Sequence, residues 1–154
     1  MTKARLHSIE TMGLVDGPGI RTIFFLQGCP LRCAYCHNPD SQTMYSNKLI
    51  SPDEVLQTAL RYKSYYDSSG GGVTFSGGEP LIQGEFLVET LKLLKEAGIN
   101  TAIDTSGFGD ERYYKEILKL VDVVILDIKH FDDRDYKSLT GRSKKRFNKF
   151  LSYL

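Results

Sequence analysis

Residues 20–38 have the sequence IRTIFFLQGCPLRCAYCHN, and this stretch decides the fold class and the chemistry of the chain. Its first seven residues, Ile20 to Leu26, are mostly apolar or β-branched, which predicts a buried β-strand. The strand ends at Gln27 and Gly28, directly before three cysteines. The three cysteines therefore lie at the carboxyl end of a predicted buried strand.

Cys29, Cys33 and Cys36 are the whole cysteine content of the chain. Their spacings of four and three residues allow three thiolates to converge on one metal centre. A closed four-iron cluster takes four cysteines, so three would leave one iron of a [4Fe–4S] cluster without a protein ligand. Such an iron can bind a substrate or cofactor, and the spacing therefore indicates chemistry more than structure.

The spacing alone also allows two other uses of the cysteines. A disulfide would join two of them and leave the third unpaired, and residues 1–5 lead into no apolar core of a secretion signal. A structural zinc site needs a fourth ligand, which a histidine could provide in a Cys3His set. The histidines are His7, His37 and His130. His37 directly follows Cys36, which makes it a strained zinc ligand.

Strand-like and helix-like segments alternate along the chain. The predicted strands are 20–26, 73–75, 101–103 and 123–128, the last strongly buried, and the predicted helices are 51–67, 86–98 and 113–121. Ser51 to Glu54 has the pattern of a capping box, and Gly98 is a predicted helix C-terminal cap. This order predicts an α/β fold with about four parallel strands, right-handed crossovers and helices on the outside.

Polar motifs follow the predicted strands. They are SGGEP at 76–80, DTSG at 104–107, and Asp127 with Lys129. Ligands bind at the carboxyl ends of parallel strands, so we expect these motifs to lie at one edge with the cysteines. Glycines allow the backbone to approach a ligand closely, and the Glu79 carboxylate suits an ammonium group. The amine and carboxylate of an amino acid cofactor could then chelate the open iron while this turn holds the amine.

Each motif also has an ordinary structural explanation. A Gly-Gly turn before a helix is often only a connection. Asp127 and Lys129 share one face of a strand and could be ion-pair partners, and Asp104 with Thr105 could form an Asx or Ser/Thr turn. Asp16 in the DGPG segment could face a bound substrate, but a turn is the favoured explanation there.

Bulk properties limit the possible functions. A chain of 154 residues can form one domain with a hydrophobic core, so we expect a single domain over 1–154. A formal net charge of +1 argues against a nucleic-acid partner recognised through bulk electrostatics. No apolar run has membrane-spanning length, so we expect no membrane partner. Clustered free cysteines are typical of a reducing compartment, which predicts a cytoplasmic protein.

The C-terminal segment alternates basic and aromatic residues. Residues 132–140 predict a short helix that ends at Gly141. Residues 142–154 then predict an amphipathic helix with a basic face. A solvated helix face is the ordinary explanation of such a pattern, and a partner-binding patch is the alternative.

Taken together, the motifs resemble those of radical S-adenosylmethionine (SAM) enzymes that activate glycyl radical enzymes. The signature segments are VDGPGIR at 15–21, FFLQGC at 24–29 and CAYCHNP at 33–39. Three further segments are similar to those of the activases of pyruvate formate-lyase (formate C-acetyltransferase): GGGVTFSGGEP at 70–80, DTSGF at 104–108 and LDIK at 126–129. The similarity runs in order from about Leu6 to the C-terminus, which makes it far more specific than any single motif.

The resemblance implies a cofactor site. Cys29, Cys33 and Cys36 would hold a [4Fe–4S] cluster, and SAM would chelate the open iron through its amine and carboxylate. The residues implied in SAM binding are Tyr35, Cys36 and His37 beside the adenine, Gly78 with Gly77 and Glu79 at the methionine amine, and Asp127, Ile128 and Lys129 at the ribose and carboxylate. A monovalent cation would bind Asp104, Thr105, Asp127 and the backbone carbonyl of Ile125.

The resemblance also implies the reaction and the partners. One electron from a reduced flavodoxin or ferredoxin would cleave SAM, and the resulting radical would remove a hydrogen from a glycine Cα of pyruvate formate-lyase. Members of this family continue through further strands that close more of a partial (β/α) barrel. We therefore expect a C-terminally short core with an exposed fourth strand. The alternative functions are a radical SAM enzyme acting on a small molecule and a non-catalytic zinc-binding module.

Overall fold

The computed structural model describes residues 2–154, whose centre is a six-stranded mixed sheet. The strands are β1 (Ala4–Gly13), β2 (Arg21–Leu26), β3 (Leu49–Ile50), β4 (Gly72–Gly77), β5 (Thr101–Thr105) and β6 (Val123–Leu126). Their order across the sheet is β3-β1-β2-β4-β5-β6. Within residues 2–154, no helix combines the length and the apolar character needed to cross a membrane.

The neighbouring strands β2, β4, β5 and β6 are all parallel, which confirms the predicted parallel sheet. Two further strands were not predicted. β1 pairs antiparallel with β2, and β3 pairs antiparallel with β1. The sequence of β1, ARLHSIETMG, mixes charged and apolar residues on both faces, and β3 has only two residues, so neither produces a strong strand pattern.

Six α-helices connect and follow the strands in residues 2–154. They are α1 (Pro52–Arg61), α2 (Lys63–Ser69), α3 (Gly84–Glu96), α4 (Glu111–Leu120), α5 (Asp133–Thr140) and α6 (Lys145–Leu151), with 3-10 turns at Pro39–Gln42 and Pro80–Gln83. The predicted capping box of α1 is present, with Ser51 and Glu54 each accepting from the other's backbone N–H. The single predicted helix 51–67 is wrong in one respect, because Tyr62 leaves the helical conformation and separates α1 from α2.

Helices cover one face of the sheet, and the hydrophobic core lies beneath them. Phe24 of β2 stacks on Phe75 of β4 with ring centroids 5.8 Å apart, and Phe75 meets Phe86 of α3 edge to face at 6.3 Å. All three rings are buried. Burying a side chain of this size contributes about 1.5–3 kcal/mol to folding, so these contacts fix the helices against the strands.

The loop between β1 and β2 lies on the face of the sheet opposite the hydrophobic core. It contacts side chains of the strands that point to this face. The Arg21 guanidinium is fully buried there and donates to Thr74 Oγ1 at 2.7 Å and to the Pro18 carbonyl at 3.0 Å. Thr74 Oγ1 in turn donates to the Asp16 carbonyl at 2.7 Å. These bonds hold the loop against the start of β2 and the middle of β4, below the carboxyl ends of the parallel strands.

The fourth parallel strand is shorter and less buried than predicted. β6 ends at Leu126, and its four residues are all half-buried. Ile128, which the prediction included in a strongly buried strand, is 42% exposed. The reason is that β6 lies at the edge of the sheet and has no neighbour on its outer side within the described residues.

The last two helices follow β6. α5 ends where predicted, at Gly141, whose φ of +72° gives a left-handed C-terminal cap. α6 spans Lys145–Leu151, so it is shorter than the predicted segment 142–154. Phe147 and Phe150 of α6 are buried, and Phe150 packs edge to face on Tyr114 at 4.9 Å.

Candidate functional site

A cavity of about 290 Å³ opens at the carboxyl ends of the parallel strands. Its size is at the lower end of the range for small-molecule sites. Cys29, Cys33 and Cys36 line it together with residues that follow β4, β5 and β6. The other predicted site residues that line it are Tyr35, His37, Gly77, Gly78, Asp104, Thr105, Asp127 and Lys129. The fold therefore brings together segments that are about 100 positions apart in the sequence.

Backbone hydrogen bonds from two directions hold the cysteine segment. The N–H groups of Gly28 and Cys29 donate to the carbonyls of Ser41 and Gln42 at 2.8 and 3.2 Å. On the other side, the end of α5 accepts from the segment between the cysteines, with Arg32 N–H to the Thr140 carbonyl at 2.8 Å and Ala34 N–H to the Leu139 carbonyl at 2.9 Å.

Ser41 and Gln42 also line the cavity, and they were not predicted. They belong to the 3-10 turn at Pro39–Gln42, which Gln27 holds by donating its amide to the carbonyls of Asp40 and Thr43. Ser41 and Gln42 hold the cysteine segment through their backbone carbonyls. Every residue carries such a carbonyl, so the side chains of these two gave no signal in the sequence.

The three thiols are free and partly exposed. Burial raises the pKa of Cys29 to about 11, and burial also raises that of Cys33 in spite of the nearby Lys129. Metal binding requires thiolates, so an electropositive metal centre is what would offset this cost. In the part of the chain described, no three His, Cys, Asp or Glu side chains are grouped to hold a single metal ion.

A cluster and a zinc ion place different demands on the three sulfurs. One zinc ion about 2.3 Å from each sulfur needs the thiolates gathered around a single point. A four-iron cluster spreads three thiolates over three different irons, so it accepts sulfurs that share a cavity but are further apart.

The Gly77-Gly78 turn lies at the cavity because the ends of β2 and β4 approach each other closely. A Cβ on Gly77, whose φ is +112°, would be 2.4 Å from the backbone of Leu26. A Cβ on Gly78 would be 2.2 Å from the Gly28 carbonyl oxygen. Both glycines are therefore needed for strand packing, and the same lack of side chains exposes their backbone to the cavity.

The structure corrects the expected role of the Glu79 carboxylate. Glu79 does not line the cavity, and its side chain is fully buried. Its two oxygens accept from four protein donors: Leu81 N–H, Thr105 Oγ1, Ser106 N–H and Ser106 Oγ. A carboxylate occupied in this way cannot receive the ammonium group of a ligand, and Glu79 instead ties the turn after β4 to the end of β5.

Asp104 and Ser76 form a polar pair at the floor of the site, where Ser76 Oγ donates to Asp104 at 2.9 Å. Burial raises the pKa of Asp104, and the charges of Asp16 and Asp127 add to that rise. The charges of two other carboxylates therefore act on Asp104 here. Thr105 lines the cavity, but its hydroxyl already donates to Glu79.

Two predicted residues near this floor do not line the cavity. Asp16 is half-buried below it, in the loop that crosses the sheet. Ile125 pairs with Asp104 across β5 and β6, and it too lies outside the cavity lining.

Lys129 and Tyr35 close one wall of the cavity. The Lys129 ammonium pairs with Asp127 and lies 5.7 Å from the centroid of the Tyr35 ring. The Tyr35 hydroxyl donates to the Lys129 carbonyl at 3.3 Å. Burial alone would lower the pKa of Lys129, but the hydrogen bond and charge of Asp127 raise it overall. Ile128 lies between these residues in sequence but does not line the cavity.

The Radical SAM superfamily profile matches residues 23–153 of this chain. A pyruvate formate-lyase-activating enzyme of Clostridium pasteurianum is 60% identical over 151 residues, which cover 98% of this chain and 63% of that protein. The enzyme of the same name from Staphylococcus epidermidis is 47% identical, covering 100% of this chain and 64% of its own. The chain thus spans a little under two thirds of the length of these curated relatives.

Solved structures share the fold. Streptococcus suis SuiB bound to the precursor peptide SuiA superposes with a TM-score of 0.67 at 19% identity, covering 85% of this chain and 29% of that one. SuiB bound to SAM gives a TM-score of 0.62 at 20% identity, covering 82% and 27%.

Proposed function

The chain belongs to the radical SAM superfamily, and from this premise we propose that it carries the catalytic core of an activase that installs a glycyl radical in pyruvate formate-lyase. The cofactors of this superfamily are a [4Fe–4S] cluster and SAM. The observation that carries the proposal is one cavity lined by three cysteines, a glycine turn, Asp104 and Lys129. The relatives that match almost the whole chain support the choice of pyruvate formate-lyase as the target.

In this proposal the cysteines hold the cluster and leave one iron for SAM. When bound, the cluster and SAM together supply a reductive cleavage that forms a 5′-deoxyadenosyl radical. The task of the protein is then to orient the nucleotide and to exclude water and other hydrogen donors. The position of the site, in a cavity between the cysteine segment and the ends of the strands, supports this role.

Individual residues have separate tasks in SAM binding. Tyr35 and His37 flank the adenine, and the exposed backbone at Gly77 and Gly78 receives the methionine amine. Lys129 contacts the ribose and carboxylate region, with Asp127 holding its ammonium group. The position of these residues on the cavity lining supports the assignment.

We also propose a monovalent cation near Asp104, Thr105, Asp127 and the carbonyl of Ile125. The effect of the Asp127 charge on Asp104 supports a cation at this point, because a positive charge would relieve the repulsion between the carboxylates. Asp16 would lie below it and face the glycine-bearing segment of the partner. A reduced flavodoxin or ferredoxin would supply the electron, and a cytoplasmic location fits the free cysteines.

The test is SAM cleavage by this 154-residue chain. After anaerobic reconstitution with iron and sulfide we expect about four irons per chain, and 5′-deoxyadenosine formation on addition of a reductant. The control is Cys33→Ala, which should lose the iron and the cleavage together. With pyruvate formate-lyase added, a glycyl radical signal in electron paramagnetic resonance is expected. Cleavage without that signal would favour a small-molecule radical SAM enzyme, and one zinc without sulfide would contradict the proposal.

A narrower prediction concerns Lys129. Lys129→Ala should weaken SAM binding about tenfold or more while leaving the iron content unchanged, because the ammonium contacts the nucleotide and not the cluster. The matched control is Lys115→Ala, an exposed lysine of α4, which should leave both quantities unchanged. Equilibrium binding of SAM to the reconstituted protein measures the effect. Loss of iron from Lys129→Ala would instead assign the lysine a structural role.

A further inference from the structure

Tyr136 carries a buried hydroxyl that the fold does not use. The side chain is 0% exposed, and its ring packs against Phe147 with centroids 6.1 Å apart. No atom of residues 2–154 makes a hydrogen bond with its hydroxyl oxygen. Leaving a donor unsatisfied inside a protein is unfavourable, so a buried phenol without a partner indicates a partner that arrives with a ligand.

The position of Tyr136 on α5 identifies the ligand site. The carbonyls of Leu139 and Thr140, one turn further along the helix, accept from Ala34 and Arg32 on either side of Cys33. The Thr140 hydroxyl donates back to the Tyr136 carbonyl at 2.8 Å, which fixes the last turn. Tyr136 is therefore held beneath the cysteine segment by the helix that anchors this segment.

The groups around the phenol agree with this position. Burial raises the pKa of Tyr136 to about 12, and the neighbouring charges that add to the rise are, in order, Cys33, Glu79, Cys29 and Tyr35. Glu79 already accepts from four donors, and the Tyr35 hydroxyl donates to the Lys129 carbonyl. Of these four groups, Cys33 has the largest effect on the Tyr136 hydroxyl, and it lies in the segment that α5 anchors.

We propose that Tyr136 is a positioning residue whose hydroxyl donates a hydrogen bond to a sulfur of the loaded site, either the Cys33 thiolate or a sulfide next to it. This proposal depends on the proposed function in one respect, because both require a bound [4Fe–4S] cluster. A hydrogen bond to a cluster sulfur stabilises the more negative, reduced state and raises the reduction potential. Tyr136 would thus make the cluster easier to reduce.

The experiment compares Tyr136→Phe with the wild type in the full chain, before and after anaerobic loading with iron and sulfide. Tyr66→Phe is the matched control, because Tyr66 is also a buried phenol but its hydroxyl bonds to Thr22 under the helices. In the loaded protein, we expect Tyr136→Phe to keep its iron and to lower the ratio of reduced to oxidised cluster about threefold at a fixed potential. This corresponds to about 28 mV at 59 mV per tenfold for one electron.

The unloaded protein gives an independent readout. Tyr136→Phe removes a donor without a partner, so its unfolding midpoint should equal or exceed that of the wild type, whereas Tyr66→Phe should lower it. An unchanged potential in Tyr136→Phe, or loss of its cluster while Tyr66→Phe keeps one, would overturn this proposal alone. A wild-type chain that takes up no cluster would overturn this proposal and the proposed function together.

Discussion

Glu79 joins the turn after β4 to the start of the segment after β5. Four donors depend on its two oxygens, and all of them are buried with it. Glu79→Ala would leave these donors without an acceptor, so we expect it to lower the free energy of unfolding by about 3 kcal/mol. Urea denaturation of the metal-free chain measures this value.

The control for this prediction is an exposed glutamate. Glu96→Ala, at the end of α3, removes a carboxylate that faces solvent and should change the free energy of unfolding by less than about 0.5 kcal/mol. A loss of the same small size in Glu79→Ala would mean that the four hydrogen bonds contribute little. A glutamate beside two glycines gave no sign of this role in the sequence, because three of its four donors come from 26 and 27 residues away.

The buried position of Glu79 also predicts a pH dependence. Burial raises the pKa of Glu79 above its ordinary value of 4.5, although hydrogen bonds from Ser106 and Thr105 oppose the shift. A raised pKa means that the folded state holds the proton more tightly than the unfolded state. The stability that this group contributes is therefore present below pH 4.5 and is lost as the pH rises through the folded pKa.

Glu79→Gln cannot ionise and serves as the reference for this pH effect. We expect the free energy of unfolding of the wild type, relative to Glu79→Gln, to fall as the pH rises from 4.5 and then to level off. Urea denaturation of both proteins at a series of pH values gives the difference. A difference that stays constant or grows with pH would show that the folded protein prefers the ionised carboxylate.

At the scale of single elements, the C-terminal cap of α5 controls the cysteine segment. Gly141 has a φ of +72°, a conformation that costs a residue with a Cβ about 1 kcal/mol. Gly141→Ala should therefore destabilise the last turn of α5, whose carbonyls accept from Arg32 and Ala34. We expect faster hydrogen exchange at the amides of Arg32 and Ala34, which mass spectrometry or NMR can follow.

Gly98 provides the matched control for the cap. It follows α3 with a φ of +66°, and a Cβ there would meet nothing within 4 Å. Gly98→Ala should cost a similar amount of stability, but exchange at Arg32 and Ala34 should stay as in the wild type. Equal acceleration in both variants would mean that the cysteine segment responds to overall stability and not to α5.

Elements with a strong local pattern could be predicted from the sequence, and elements defined by long-range pairing could not. The capping box at Ser51 and the cap at Gly141 depend on neighbouring residues, so their positions were predictable. β1 depends on pairing with β2 and β3, and its own sequence does not alternate cleanly. The break at Tyr62 and the edge position of β6 likewise depend on contacts that a local pattern does not contain.

For the whole molecule, the parallel order of the strands was the most informative prediction. It placed the cysteines, the glycine turn, Asp104 and Lys129 at one edge, and these residues do line one cavity. Side-chain direction could not be predicted in the same way. Glu79 does not reach the cavity, Asp16 lies below it, and the buried hydroxyl of Tyr136 belongs to α5, a region that gave no motif.

The exposed edge of the sheet predicts how the 154-residue chain behaves at high concentration. β6 has no partner on its outer side within residues 2–154, and an unpaired edge strand is a template for pairing with another chain. Val123→Lys places a charge at the start of this edge and should oppose such pairing. We expect the protein concentration at which light scattering rises to increase roughly threefold or more.

Val15→Lys is the control for this prediction, because it replaces the same type of apolar side chain, which is 89% exposed in the loop between β1 and β2. If Val15→Lys suppresses scattering as well as Val123→Lys does, then association follows general apolar exposure and not the strand edge.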